Sequence, residues 1–526
     1  MGKKLTLAAA FLPVLVLAAF NAAAAEPGRT NPFEAGTWSH PTSFIDRCVL
    51  ATLRKNGVEP APLCSDEVFV RRVYLDVIGT LPEPAEVVAF LADPRADKRA
   101  ALIDALLKRD EFADYWSLKW CDLLRVKAEF PINLWPNAVQ AYHRWILEAL
   151  RENEPYDQFV RDLLTSSGSN FRVPPVNFYR AVQGRDPSSI AADVALTFMG
   201  TRLDSWPDVR RAEMAAFFSR VAYKKTAEWK EEIVYLDPAP AEAKDGVLPD
   251  GTKVRIPADV DPRGIFADWL IKPDNPWFAR NIANRIWSWL LGRGIIHEPD
   301  DIRPDNPPSN PELLAGLERE LVSSRYDLRH VFRLILNSQT YQQSSIPKGD
   351  PAQADALFAR YAVRRLDAEV LQDALCAICG TGVEYSSSIP EPFAFVPKTQ
   401  RSILLADGSI TSAFLEMFGR PPRDTGLESE RNNQPSGAQL MYLMNSSAVL
   451  RGIERSPKLA GIYRSVNWRR SDAVPQVYLL ILSRHPTWAE AEAAEYYFRT
   501  SGLRLKEALD DLAWALVNSK EFLFRH

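Results

Sequence analysis

The densest group of residues that could carry out chemistry is His297-Glu298-Pro-Asp300-Asp301. Two carboxylates beside an imidazole could act as general acid and base in a hydrolase, and carboxylate oxygens also bind Ca²⁺. The alternative is a structural loop in which the aspartates turn the backbone and pair with Arg303. The sequence favours the structural loop. If the chain has a catalytic site, His297, Asp300 and Asp301 are its best candidates.

Cys376-Ala-Ile-Cys379 is the only Cys-x-x-Cys sequence in the chain. Haem attachment needs a histidine directly after the motif, where Gly380 stands, and zinc would need two further ligands at matching spacing. Redox chemistry favours a helix N-terminus, whose dipole stabilises a thiolate, whereas the apolar pattern places this pair at a helix C-terminus. The alternative is two buried or linked thiols.

Cys48 and Cys64 enclose a short segment and form a second disulfide candidate. In the chain-entropy description such a bridge would add about 3 kcal/mol. The alternative is two small buried thiols. The chain has five cysteines, so at least one thiol has no partner within it.

The six histidines are scattered, and no two stand one helical turn apart. No helix face therefore presents the pair of imidazoles that many metal sites use. We predict neither a metal ion nor a cofactor. Sequences for a nucleophile elbow, a phosphate-binding loop or a dinucleotide fold are also absent.

Several tryptophans invite a sugar-stacking interpretation, because glycan sites combine aromatic faces with polar groups. They are Trp135, Trp145, Trp277, Trp287 and Trp289. The alternative is a structural role, since tryptophans at helical spacing mostly bury their large rings in a core. Trp287 and Trp289 stand two residues apart, so one core could bury only one of them.

Residues 1–25 are typical of an export signal. Lys3 and Lys4 precede an apolar run at 5–20, and Ala23-Ala24-Ala25 offers a small-residue cleavage site. The apolar run is shorter than the roughly 20 residues that span a bilayer. We therefore predict cleavage, no membrane span afterwards, and a soluble periplasmic or secreted protein.

The net charge is −4, from 63 basic and 67 acidic residues, and no block of like charges stands out. A nucleic-acid-binding protein would need a basic stripe to contact phosphates. The composition therefore argues against a nucleic-acid partner.

Apolar periodicity predicts a mainly α protein with two helical domains joined by a small β-hairpin element. The predicted segments after the signal are a flexible lead-in at 26–41, an N-terminal helical domain at 42–230, the β-hairpin linker at 231–260 and a C-terminal helical domain at 261–526. The hairpin is predicted from β-forming runs at 233–236 and 253–256 around Pro249-Asp-Gly-Thr252. Helical periodicity before it includes 211–223.

Short motifs in the two helical regions resemble a pair of planctomycete families. The motifs include Arg71-Arg-Val-Tyr-Leu-Asp-Val-Ile-Gly79, Ala215-Ala-Phe-Phe-Ser-Arg-Val221, Asn275-Pro276, Phe278-Ala-Arg-Asn281, Asn284-Arg-Ile-Trp287 and Gly292-Arg-Gly294. The first two resemble the cytochrome-C-associated domain of unknown function 1549, and the others resemble its companion, domain of unknown function 1553. The resemblance implies an exported helical protein with a sulfatase-like or cytochrome-type partner outside the cytoplasm.

The chain departs from both families at the residues that could bind a metal or haem. The first family carries a Cys-x-x-Cys-His-x-His-Pro stretch, and residues 200–206 here read Gly-Thr-Arg-Leu-Asp-Ser-Trp. The second family carries Cys-x-Cys-x-Arg, and here Leu427-Glu-Ser-Glu-Arg431 keeps the arginine without the thiols. No haem or metal role is therefore carried over from the resemblance.

These observations lead to three functional hypotheses. The first is a non-catalytic binding or assembly component that has lost the haem or metal motif of its relatives and handles an extracellular polymer such as a polysaccharide. The second is a hydrolase of an extracellular polymer that uses His297, Asp300 and Asp301. The third is a thiol-redox protein that uses Cys376 and Cys379.

Overall fold

A computed structural model of the chain describes residues 32–38, 43–238, 242–466 and 472–526. The predicted signal at 1–25 lies outside the described residues, as does most of the predicted lead-in at 26–41. Helices dominate and the strands are short, which confirms the mainly α fold class. Within the described ranges, no helix combines the length and apolarity that crossing a bilayer requires.

The N-terminal half is a succession of short helices. They are α1 (Phe44–Lys55), α2 (Asp66–Val77), α3 (Pro84–Ala92), α4 (Lys98–Leu106), α5 (Asp110–Leu123), α6 (Pro136–Arg151), α7 (Tyr156–Thr165), α8 (Asn177–Arg180), α9 (Pro187–Val194) and α10 (Asp208–Ala215). A π-helical turn, Ala195–Met199, follows α9, and 3₁₀ turns occur at Pro174–Val176, Leu203–Ser205 and Ala216–Phe218.

Helix α1 shows how local sequence produces these elements. The Ser43 hydroxyl accepts the backbone N–H of Asp46 and caps the helix start, where the first N–H groups have no partner within the helix. Ile45, Val49 and Leu53 follow at intervals of four residues, and all three are buried. The helix thus gains its stability by burying one apolar face, as its periodicity predicts.

The strands form three small antiparallel sheets. They are β1 (Gly168–Ser169), β2 (Val221–Lys225), β3 (Glu232–Leu236), β4 (Lys244–Val247), β5 (Lys253–Ile256), β6 (Arg364–Arg365) and β7 (Phe524–Arg525). β3 lies between β1 and β2, β4 pairs with β5, and β6 pairs with β7.

The predicted hairpin is correct in its turn and in its second strand but wrong in its first strand. The strand that leads into the Asp250-Gly251 turn is β4, and Gly246 pairs with Val254. The run at 233–236 belongs instead to β3, which pairs with β2. The first residues of β2, 221–223, fall at the end of the predicted helix 211–223, so that end of the helix prediction is wrong. A hairpin strand must adjoin its turn, and only the polar segment of β4 does so.

The C-terminal half contains the remaining helices. They are α11 (Pro262–Leu270), α12 (Phe278–Leu291), α13 (Pro311–Ser323), α14 (Leu328–Leu336), α15 (Pro351–Ala356), α16 (Ala368–Cys379), α17 (Ala413–Met417), α18 (Gly437–Asn445), α19 (Ser447–Glu454), α20 (Pro457–Ser465), α21 (Ala473–Leu482), α22 (Trp488–Thr500), α23 (Leu505–Val517) and α24 (Lys520–Leu523). Two 3₁₀ turns, Ser402–Leu404 and Glu428–Glu430, lie in the long loops around α17.

Aromatic contacts join the two halves. Trp116 and Trp120 of α5 lie 5.2 and 6.4 Å, centroid to centroid, from Trp289 of α12, and Trp116 lies 4.5 Å from Phe332 of α14. One continuous cluster of buried apolar side chains includes residues of both halves. Because this core extends across the predicted boundary between the two helical domains, the domain limits at 230 and 261 stay a prediction.

Candidate functional site

The polar cluster at 297–301 lies in the loop that follows α12. The imidazole of His297 is 41% exposed and lies 3.6 Å from the Glu298 carboxylate. Partial burial, together with Arg293, lowers the pKa of His297. Asp301 points to the surface and pairs with Arg303 at 3.2 Å. His297 and Asp301 are therefore surface groups with neighbours close to them in sequence.

Asp300 points in the other direction and is buried. Its Oδ1 accepts a hydrogen bond from Arg285 Nη2 at 2.5 Å, and its Oδ2 accepts the backbone N–H of Glu428 at 2.7 Å. Both oxygens are thus occupied by protein donors, and Arg285 is itself buried. The structure separates Asp300 from the surface pair of Asp301 and does not assemble the predicted acid–base site.

Both segments that depart from the family motifs meet this buried pair. The carbonyl of Gly200 accepts the N–H of Ile302 at 2.8 Å, and Arg285 donates to the carbonyl of Leu196 at 3.1 Å. The second segment, 427–431, reaches Asp300 through the N–H of Glu428. Gly200, which bonds to Ile302, and Glu428, which bonds to Asp300, therefore bring two segments that are distant in sequence close to one buried ion pair.

Gly200 has a conformation that explains its residue type. Its φ of 63° is left-handed, where the π-helical turn ends and the chain reverses. A Cβ at this position would lie 2.5 Å from Oδ1 of Asn281 on α12. Glycine therefore allows this segment to approach α12 closely.

Arg431, the residue retained from the second family motif, is the centre of a buried ionic network. Its guanidinium lies 2.6 Å from Asp122 of α5 and 2.7 Å from Glu369 of α16. Asp122 also pairs with Arg423 at 2.8 Å, and Glu369 pairs with Arg420 at 3.3 Å. Burial alone would lower the pKa of Arg431, but the two carboxylates outweigh burial and raise it. Arg431 thus holds the loop around Glu428–Glu430 against both halves.

The network continues to the C-terminal residues. Asp367 accepts hydrogen bonds from the Tyr115 hydroxyl at 2.8 Å and Arg525 at 3.1 Å, and it pairs with Lys119 at 3.1 Å. Burial would raise the pKa of Asp367, but Lys119, Arg525 and other cations lower it well below its ordinary value. Arg525 also pairs with Asp76 of α2 at 3.4 Å. These carboxylates act as structural counter-ions for buried cations.

The two thiols of the Cys-x-x-Cys sequence offer little reactivity. Cys376 and Cys379 lie in the last turn of α16, where the sequence places them, and burial raises the pKa of Cys376 to about 11 and that of Cys379 to about 12. A thiolate, the nucleophile of disulfide exchange, is therefore scarce near neutral pH.

All five cysteines are free in the structure, so neither of the two candidate disulfides is formed. The backbone carbonyl of Cys48, on α1, accepts a hydrogen bond from the side-chain amide of Asn310. Cys64 is buried and forms an isolated β-bridge with Glu34. Cys376 and Cys379 remain separate thiols on one helix.

Most of the tryptophans singled out from the sequence contribute to packing. Trp287 and Trp289 are both buried, contrary to the expectation that only one could be, because α12 is covered on both sides. Trp135 is different, because its ring contacts two exposed rings, Trp229 and Phe393. Neither partner was recognisable from sequence, since both lie in loops without periodicity.

Among the described residues, no three His, Cys, Asp or Glu side chains are grouped as metal ligands would be. Two cavities beside Trp120 have volumes of about 20 and 10 Å³. A volume of this size holds about one water molecule. These cavities are therefore too small for a substrate.

Comparison with known families agrees with this description of the two halves. Residues 44–218 match the family PSCyt2, a protein of unknown function (DUF1549), and residues 262–498 match PSD1, a protein of unknown function (DUF1553). The chain is a DUF1549–DUF1553 protein. No curated protein and no solved structure matches it. In this DUF1549–DUF1553 protein, Arg285 and Ile302 of the second matched segment join the first by donating to the carbonyls of Leu196 and Gly200.

Proposed function

We propose that this protein is a non-catalytic binding or assembly component that acts outside the cytoplasm, in the periplasm or after secretion. One observation carries the proposal. Where the resemblance places thiols and imidazoles, Gly200 of the segment 200–206 bonds to Ile302, two residues after Asp300, and Glu428 of the segment 427–431 bonds to Asp300, whose other oxygen accepts Arg285. A carboxylate that already accepts an arginine and a backbone N–H is a poor general base, because proton abstraction would first break those bonds.

The proposed location rests on the sequence. Lys3 and Lys4, the apolar run at 5–20 and the alanines at 23–25 have the composition and order of an export signal. The proposed partners are a polysaccharide and, by resemblance to the families, a sulfatase-like or cytochrome-type protein. Nucleic acid is not among them, because the chain carries a net charge of −4 without a basic stripe.

The proposal is tested by the metal content and absorption spectrum of the exported protein, purified from its native compartment without chelators. We expect no Soret band and only traces of iron, copper and zinc, because the donors that would hold them are missing. Stoichiometric metal or a haem spectrum would overturn the proposal. A protein exported by the same host with an intact Cys-x-x-Cys-His motif serves as the positive control.

A second test addresses catalysis. Release of reducing ends from soluble polysaccharides should be the same with wild type, with Asp301→Asn and without protein. A release that depends on the wild-type protein and disappears in Asp301→Asn would establish the hydrolase alternative.

A further inference from the structure

Three aromatic rings from distant parts of the chain meet at the surface. We call Trp135, Trp229 and Phe393 the aromatic platform. The ring centroids of Trp135 and Trp229 are 4.8 Å apart, those of Trp229 and Phe393 are 5.4 Å apart, and those of Trp135 and Phe393 are 5.8 Å apart. Each ring thus contacts both others, and the platform joins the loop before α6, the turn between β2 and β3, and the loop at 382–401.

The aromatic platform is not part of the interior. Trp229 is 55% exposed and Phe393 is 45% exposed. Phe130 and Phe395, on the same loops as Trp135 and Phe393, are exposed as well. Large apolar side chains that are exposed singly need no explanation, but a group of them in mutual contact marks a binding surface.

The backbone around the aromatic platform supports a functional origin. Trp135 has φ 74° and ψ 147°, a region that almost only glycine adopts. Lys230, which follows Trp229, has φ 61°, and Asn133 has φ 62°. Strained conformations persist only where the surrounding structure enforces them, and they concentrate at ligand sites. Here the backbone N–H groups of Leu134 and Trp135 donate to the backbone carbonyls of Lys127 and Ala128, and these hydrogen bonds hold the loop before α6 in place.

Polar groups lie beside the rings and on the loops that carry them. The ammonium of Lys230 lies 4.6 Å from the ring centroid of Trp135 and 5.8 Å from that of Trp229. The carboxylate of Glu129 accepts the hydroxyls of Ser387 and Ser388 at 3.1 and 2.9 Å, which connects the Trp135 loop to the Phe393 loop. The rings therefore lie beside one ammonium, on loops that also carry hydrogen-bonding side chains, and these groups are called the polar border.

This combination matches the chemistry of a sugar ring. A pyranose presents C–H groups on its faces and hydroxyls around its edge, so it can stack on an aromatic ring while its hydroxyls bond to the polar border. An apolar helix placed on the same surface would remove the Lys230 ammonium from water without replacing its hydrogen bonds, which is costly. We propose that the aromatic platform binds pyranose units of a polysaccharide by stacking. This inference rests on the proposed binding role and names its ligand class.

The test is affinity electrophoresis of the full mature chain in native gels. The gels contain hydroxyethylcellulose, xylan or the sulfated galactan carrageenan, so that neutral and anionic polymers are compared. We expect retardation by at least one polymer. Trp229→Ala and Phe393→Ala should each weaken the association constant by about tenfold, because each removes one stacking face.

Trp488→Ala is the matched control, since Trp488 is 70% exposed on α22 and is not one of the platform rings. It should leave the retardation unchanged. Circular dichroism and the thermal midpoint should match wild type for all three variants, because the substituted side chains are on the surface.

Three results would overturn the stacking proposal. The first two are no retardation of wild type by any of the polymers and equal weakening in Trp488→Ala. A platform variant that keeps polymer retardation but loses a protein partner would also overturn it, by assigning the surface to protein docking. The metal and spectral measurements do not depend on these gels. A metal-free protein that binds no polymer therefore leaves the assembly role standing, whereas a haem spectrum ends that role whatever the gels show.

Discussion

At the scale of single residues, Asp300 and Asp301 show that adjacent carboxylates can have opposite roles. Asp300 is the buried partner of Arg285, and Asp301 is a half-buried partner of the exposed Arg303. The sequence identified the cluster and Arg303 as a partner, because that pair is local. It did not identify Arg285, since the direction of each side chain depends on how the loop packs on α12.

Asp300→Asn and Asp301→Asn should therefore differ in stability. Removing one member of a buried pair leaves an unpaired charge, so Asp300→Asn should lower the free energy of unfolding by about 3 kcal/mol. Asp301→Asn, in an exposed pair, should cost less than about 1 kcal/mol. Urea unfolding followed by tryptophan fluorescence measures both. Equal losses would show that Asp300 is not the buried partner described here.

The buried imidazole of His143 on α6 makes the free energy of unfolding depend on pH. Burial, followed by the charges of Arg423 and Arg144, lowers the pKa of His143 from 6.5 to about 4. Below pH 6.5 the imidazole therefore binds a proton in the unfolded chain, whereas in the folded chain it binds one only near pH 4. The free energy of unfolding thus falls as the pH drops from 6.5 to 4. The expected loss from this one group is about 3 kcal/mol.

His143→Gln should flatten the stability profile between pH 6.5 and 4, as measured by urea unfolding at a series of pH values. His526, whose pKa burial also lowers to about 4, keeps part of the slope in the variant. The slopes of the wild-type and variant profiles are compared rather than the absolute free energies of unfolding, because any cost of burying the glutamine amide is the same at every pH. An unchanged slope would mean that His143 is protonated to the same extent in the folded and unfolded chain.

At the scale of elements, local patterns predict helices better than they predict partners. The serine cap and the apolar spacing of α1 lie within the element and could be found by inspection. The strand β4 could not, because Lys244-Asp-Gly-Val247 has no β-forming pattern and forms only because the Asp-Gly turn folds it onto β5. The platform rings Trp229 and Phe393 were also missed, since their contact depends on the packing of two separate loops.

The loop at 419–437 depends on Arg431 to keep its place between α5 and α16. Arg431→Lys should loosen it, because a single ammonium cannot contact Asp122 and Glu369 as the planar guanidinium does. We expect faster amide hydrogen exchange at 420–436 and a loss of about 2 kcal/mol in the free energy of unfolding. Arg504→Lys, in the exposed pair with Glu507, is the matched control and should change neither quantity. Unchanged exchange in Arg431→Lys would contradict this role.

At the scale of the whole molecule, the last residues of the sequence connect its two halves. Arg71 and Arg72 of α2 donate to the carbonyls of Phe522 and His526, at 3.2 and 2.8 Å. β7 pairs with β6, directly before α16. These contacts span most of the sequence, so no local pattern indicates them. They make the final helix and strand part of the same core as the N-terminal helices.

Arg525 is the decisive residue in this connection, because its guanidinium pairs with Asp76 in the N-terminal half and Asp367 in the C-terminal half. Arg525→Gln leaves both buried carboxylates with one cation fewer and should lower the free energy of unfolding by about 3 kcal/mol. Lys520→Gln, an exposed change on α24, should cost nothing measurable.

The second part of this prediction concerns whether the Arg525→Gln protein unfolds in one step or in two. If the halves share one core, Arg525→Gln should unfold in one cooperative step at a lower midpoint, with circular dichroism and tryptophan fluorescence coinciding. If Arg525 served the C-terminal half alone, part of the tryptophan fluorescence change would occur in a separate, unshifted transition. A single shifted transition would therefore mean that the two family segments fold as one unit, and that a binding partner of either segment stabilises both.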